Sequence, residues 1–130
     1  TLKPHGGITS SGADLLYALE VIDHDNFGIY YDPGNIIHYK GLDPVRELLP
    51  IADYVVAMCV KDCAGEKGAV EILPGTGLVD FAGVFELLKE AGFDGDLVVE
   101  CLGGESLEEV NENARKTRQF LEGFVAGKKG

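Results

Sequence analysis

Residues 54–63 read Tyr-Val-Val-Ala-Met-Cys-Val-Lys-Asp-Cys. From Tyr54 to Val60 every position is apolar, which describes a strand buried on both faces rather than one with a wet side. The run ends in Lys61-Asp62, the first polar residues after it. A loop from Ala64 to Val79 leads to Asp80, which is placed to cap a helix running to Ala91, and Gly92 stops that helix. A doubly buried strand followed by an amphipathic helix is the repeating unit of a parallel α/β sheet.

Working outward, the same unit recurs. Downstream, Asp94-Gly95-Asp96 enters a run from Leu97 to Glu100, which leaves through Gly103-Gly104 into a helix from Leu107 to Val125. Ser106 is its cap and Glu109 the capping-box partner. Upstream, the run Phe27 to Tyr31 ends in Asp32-Pro33-Gly34-Asn35, and Asp43 caps a short helix from Pro44 to Leu49. The first run is only a stub, Leu2-Lys3-Pro4, followed by His5-Gly6-Gly7. Ser10 or Ser11 then caps a helix from Ala13 to Ile22 with Leu15, Leu16, Leu19 and Ile22 on one stripe.

This alternation leaves two architectures, a doubly wound open sheet or part of a (β/α)8 barrel. Four βα units are half of a barrel, which needs about 250 residues. Because the chain opens at what reads as the end of a strand, the expectation is a fragment whose partner units lie on the N-terminal side.

Composition narrows the function classes. The 130 residues carry 22 acidic and 11 basic side chains, a net charge of −11. Such a chain is a poor nucleic-acid binder, and its most basic stretch is only Lys128-Lys129. With 45% hydrophobic residues it can bury a core. No stretch reaches the ~18 apolar residues of a membrane span. Cys59, Cys63 and Cys101 are too few for a disulfide scaffold. The spacing of the first two lacks the second pair of a zinc ribbon. The cytoplasm is the expected compartment.

Two common motifs are absent in usable form. Pro74-Gly75-Thr76-Gly77 starts like a phosphate loop, but no strand directly precedes it and Asp80 stands at the sixth position, so a tight turn is the better reading. No G-x-S-x-G nucleophile elbow occurs. Cys101 follows Glu100, so strand alternation points it to the opposite face as a packed core thiol. What remains is a set of charged residues at successive strand ends: Lys3, Asp32, Lys61 and Glu100. An ionised carboxylate there costs several kcal/mol unless it is paired or metal-bound. Either these groups neutralise one another as ion pairs at a barrel mouth, or they line a pocket for a small polar ligand.

Five patterns, taken in order, resemble the xylose isomerase-like superfamily of TIM barrels, the sugar-phosphate isomerase/epimerase group that also includes endonuclease IV. Leu2-Lys3-Pro4-His5-Gly6 is similar to the E-x-H that ends that family's fifth strand, and Tyr31-Asp32-Pro33-Gly34-Asn35 to the D-x-G-H of the sixth. Cys59-Val60-Lys61-Asp62 resembles H-x-K-D on the seventh, Pro74-Gly75-Thr76-Gly77 through Asp80-Phe81 the G-x-G-x-[IV]-D-[FW] loop after it, and Val99-Glu100 the [VI]-E of the eighth. The resemblance spans the whole chain, 1–130, and implies a parallel (βα)4 half of a TIM barrel matching strands five to eight. The missing N-terminal half or self-association would complete it.

The resemblance further implies a small sugar or sugar phosphate as ligand and proton transfer next to its carbonyl. It also implies one divalent cation (Mn, Mg, Co or Zn) held by Glu, Asp, His and Glu. Carried over residue by residue, Asp32 and Glu100 are retained ligands, Cys59 stands where His is expected, and Lys3 where Glu is expected. Asn35 replaces the His after D-x-G. An ammonium repels a divalent cation, and Mg²⁺ and Mn²⁺ prefer oxygen to sulfur. The expectation is therefore that Lys3 takes the metal's place and polarises a carbonyl while Glu100 acts as general base. His5, Asn35 and Lys61 are expected to bind the substrate. The competing expectation is a non-catalytic barrel that binds a polyol or phosphate.

Overall fold

Leu2 enters the sheet by donating its N–H to the Gly28 carbonyl at 2.9 Å, and its own carbonyl accepts from Tyr30 at 2.9 Å. This single parallel bridge, Leu2 to Ile29, is all the pairing the opening stub makes in the computed structural model, which describes residues 1–126. The Lys128-Lys129 pair lies outside them. Three strands follow in the order β1 (Ile29–Tyr31), β2 (Val55–Val60) and β3 (Asp96–Val99), all parallel. Register runs Tyr31 to Met58 and Cys59 to Val98, with an irregularity between Ile29 and Tyr30.

Among the described residues, five α-helices accompany the strands. Helix α1 (Gly12–Ile22) is capped by Ser11, α3 (Pro44–Leu48) by Asp43, α4 (Phe81–Glu90) by Asp80 and α5 (Leu107–Val125) by Ser106. Each cap side chain accepts an orphan backbone N–H of the first turn. Helix α2 (Pro33–Lys40) was not expected from the sequence, where the helix from Pro44 to Leu49 is the first after β1. Its signature was present, because Asp32 caps it and Pro33 occupies the first helical position.

The core gathers Leu15, Leu19, Ile29, Tyr31, Leu48, Ile51, Met58 and Val84 between the sheet and the helices α1, α3 and α4. Each such buried aliphatic side chain contributes about 1.5–3 kcal/mol of transfer free energy. Tyr31 keeps its hydroxyl satisfied inside by donating to the Pro44 carbonyl at 2.5 Å. Helix α5 is fastened by an aromatic cluster in which Phe120 meets Phe81 edge-on and Phe124 stacks on Phe85.

Burial of the strands on both faces does not hold throughout. Val98 on β3 is 44% exposed, and Val56 on the central strand β2 is 51% exposed. Cys101 is a second correction: it is half-buried rather than a core thiol. Strand β3 ends at Val99, and Cys101 adopts a left-handed φ of 59°, so strand alternation no longer governs where it points.

Candidate active site

The strand ends converge. Glu100 donates its backbone N–H to the Val60 carbonyl at 3.2 Å, which sets its side chain beside that of Lys61. Asp32 ends the neighbouring strand and divides its labour between its two oxygens. Oδ1 accepts from Asn35 N at 2.9 Å as the helix cap, whereas Oδ2 faces two ammonium groups, Lys3 Nζ at 3.1 Å and Lys61 Nζ at 3.0 Å. These are ion pairs without good hydrogen-bond angles at Oδ2. Lys3 also reaches both Glu100 oxygens at 3.0 Å, and Lys61 reaches Glu100 Oε2 at 2.5 Å. Helix α2 approaches this closely because residue 34 is Gly: a Cβ there would stand 2.7 Å from the Lys61 carbonyl oxygen.

Two cations and two anions thus form one neutral square. Asp32 is fully buried and Lys61 nearly so, while Glu100 remains 43% exposed. The Lys61 hydrogen bond pulls the Glu100 carboxyl down to about 2, burial opposing and Lys3 adding to the effect. Desolvation works against the charge on Lys3 and on Lys61, but the Glu100 hydrogen bond and the Asp32 charge outweigh it, and both stay above the ordinary lysine range. Cys59 lies beneath, its Sγ 3.7 Å from Glu100 Oε2. Burial first and the Asp32 charge second push that thiol well up, so it is a neutral thiol at physiological pH.

Of the site residues expected from the sequence, Lys3, Asp32, Cys59, Lys61 and Glu100 come together. His5 lies outside the square, its Nε2 2.9 Å from the Tyr39 hydroxyl and its ring tilted against Tyr39. Asn35 is buried and spends its amide on the Pro4 carbonyl at 2.9 Å, which fixes the backbone next to Lys3. Tyr30 was missed: the Lys3 ammonium stands 5.1 Å from its ring centre. Period-two alternation could have found it, since Tyr30 and Asp32 share a face when Tyr31 points into the core.

The loop beyond Lys61 is organised by a buried anion of its own. Asp62 accepts four backbone N–H groups, from Cys63 (2.8 Å), Gly75 (2.9 Å), Gly77 (2.8 Å) and Val79 (3.1 Å). The Pro74-to-Gly77 stretch is a tight turn, as its sequence implied, closed by Thr76 N to the Leu73 carbonyl at 3.0 Å.

Asp32, Cys59 and Glu100 each offer one metal-ligating atom within 4.8 Å of the others. The set does not fit a divalent cation. Its carboxylates are already neutralised by two ammonium groups, and its third donor is a sulfur, which hard cations bind poorly.

The comparisons agree with this architecture. A family model described as xylose isomerase-like TIM barrel matches residues 2–124. The chain is 32% identical over 120 residues to an L-ribulose-5-phosphate 3-epimerase of Escherichia coli, covering 92% of this chain and 41% of that protein. It is 24% identical over 126 residues to an inosose dehydratase of Lacticaseibacillus casei, covering 85% and 42%. Among solved structures, a xylose isomerase domain protein from Planctomyces limnophilus superposes with a TM-score of 0.75 at 27% identity, covering 95% of this chain and 43% of that one. The chain therefore spans about two-fifths of the length of these relatives. By the extent of that family match, the chain belongs to the xylose isomerase-like TIM barrel family.

Proposed function

We propose that this chain is the C-terminal (βα)4 part of a sugar or sugar-phosphate isomerase/epimerase-like barrel, its strands corresponding to the fifth through eighth. The reaction is proton transfer next to the carbonyl of a small sugar. The observation that carries this reading is the square of Lys3, Asp32, Lys61 and Glu100 at the ends of consecutive parallel strands. That is where such sheets hold their chemistry. Three free thiols are in keeping with a reducing cytoplasm.

Glu100 is the base and Lys3 the fixed cation. A substrate oxygen that accepts from Lys3 withdraws that ammonium from Glu100, and a carboxylate that loses a donated hydrogen bond gains proton affinity. Glu100 then takes the proton on the carbon next to the carbonyl. The C–H electron pair moves into an enolate whose oxygen faces Lys3. The hydroxyl proton on the carbon that lost its hydrogen passes to that oxygen, and Glu100 returns its proton to the former carbonyl carbon, so that the carbonyl now stands at the neighbouring carbon. One base on one face suits that return. His5, held against Tyr39 outside the square, is assigned to the far end of the sugar.

Solvent deuterium exchange into aldoses and ketoses by the complete barrel tests this reading. Exchange that disappears in Glu100→Gln supports it. Because the lysines are already spent on carboxylates, the site also suits a barrel that binds a polyol or phosphate without turnover. Binding with no exchange from any sugar would favour that alternative. On either reading the exposed β3 edge needs a partner, the N-terminal half or a second copy. Light scattering of the 130-residue chain is expected to give a mass above 13.9 kDa.

A further inference from the structure

We infer that the Lys3 ammonium, beside Lys61, takes the place of a divalent cation between Asp32 and Glu100, so that the site works with no resident metal. The charge count carries the argument. Two carboxylates here meet two positive charges delivered by side chains, and both ammonium groups lie within 3.1 Å of Asp32 Oδ2 and within 3.0 Å of Glu100. Each lysine bridges both acids, as a single dication between two carboxylates would.

Charge opposes adding a cation to this set. A metal ligated by Asp32 Oδ2 at about 2.1 Å would lie no farther than about 5 Å from either lysine nitrogen, in a half-buried setting of low dielectric. It would bring two further positive charges to a cluster that is already neutral. Nor does the protein offer an oxygen ligand from below, since Cys59 stands there, fully buried with its Sγ 3.7 Å from Glu100 Oε2. Lys61 cannot readily swing out, because its side chain is only 7% exposed and its stem lies against the position of Gly34. Lys61 accordingly stays with Asp32 and Glu100. The substrate-polarising role of the pair rests on the proton-transfer reading above, whereas the exclusion of metal does not.

The test is Mn²⁺ binding followed by the attenuation of its free-ion EPR signal, which needs no activity. The wild-type chain is expected to leave the signal intact up to about 1 mM Mn²⁺. Lys3→Glu, which supplies a carboxylate where an ammonium stood, is expected to bind at least ~10-fold more tightly than wild type. Lys3→Met, which keeps the stem and removes the charge, should fall between them and guards against misfolding of the first variant. Micromolar stoichiometric binding by the wild type overturns the inference, as does deuterium exchange that EDTA abolishes and Mn²⁺ restores. A wild type that binds no Mn²⁺ and exchanges no deuterium sinks the proposed reaction but leaves the metal-free site standing.

Discussion

Lys3 and Glu100, 97 residues apart in the chain, meet head-on, with Lys3 Nζ 3.0 Å from each oxygen of the Glu100 carboxylate. The contact joins the opening stub to the end of the last strand across β1 and β2, and so closes the mouth of the sheet. Its half-exposed setting limits what the pair itself adds to stability. Both lysines compensate the fully buried Asp32, but Lys61 is itself buried, its side chain 7% exposed against 24% for Lys3. Lys3→Met is therefore expected to cost less than about 1 kcal/mol and Lys61→Met about 2–3 kcal/mol, both read from urea unfolding midpoints.

The pH dependence follows from Glu100. Its pKa is depressed from the ordinary 4.5 to about 2 by the Lys61 hydrogen bond, with Lys3 contributing. A carboxyl held low in the fold stabilises above its unfolded value, and that contribution disappears as pH falls through the folded one. Stability should drop between pH 4.5 and about 2, and Glu100→Gln should flatten this part of the acid limb. Denaturant midpoints across that window check the difference.

Asp62 makes the loop after β2 brittle. Replacing it by Ala strands four backbone N–H groups, at a cost of about 3–5 kcal/mol. Gly77→Ala tests the same contact from the other side, since a Cβ would stand 2.4 Å from Asp62 Oδ1. About 1–3 kcal/mol is expected there from crowding alone. Thermal unfolding of both variants measures the two losses.

The thiols should separate by exposure. Cys59 and Cys63 are fully buried, and Cys63 donates to the Gly65 carbonyl at 3.0 Å. Cys101 is the half-buried one. A disulfide reagent is expected to modify one thiol in the native chain and three in denaturant, with peptide mapping placing the native adduct on Cys101. A native adduct on Cys59 would contradict the packing beneath the site.

Much of this was legible in the sequence because the signals are local. The caps Ser11, Asp43, Asp80 and Ser106, and the apolar runs at β1 and β2, carry their meaning within a few residues. The four charged strand ends were legible as a set for the same reason, since parallel strands bring their C-terminal ends together. Helix α2 was missed because the Pro-Gly after Asp32 reads as a turn, although Pro33 at the first helical position is equally a start signal. Cys101 was misplaced because alternation was carried one residue beyond the strand. The division of Asp32 between cap and ion pair, and the sharing of both lysines by both acids, depend on distances between elements that no local pattern encodes.

The central claim is that two lysine charges sit permanently between two carboxylates. Lysine side-chain carbon NMR, followed through a pH titration of the isotope-labelled chain, measures this directly. Solvated lysines titrate near about 10.4, and the Lys3 and Lys61 signals should still be those of the ammonium form after the others have turned over. Either signal titrating along with the rest would show an ammonium free of its carboxylates and contradict the account.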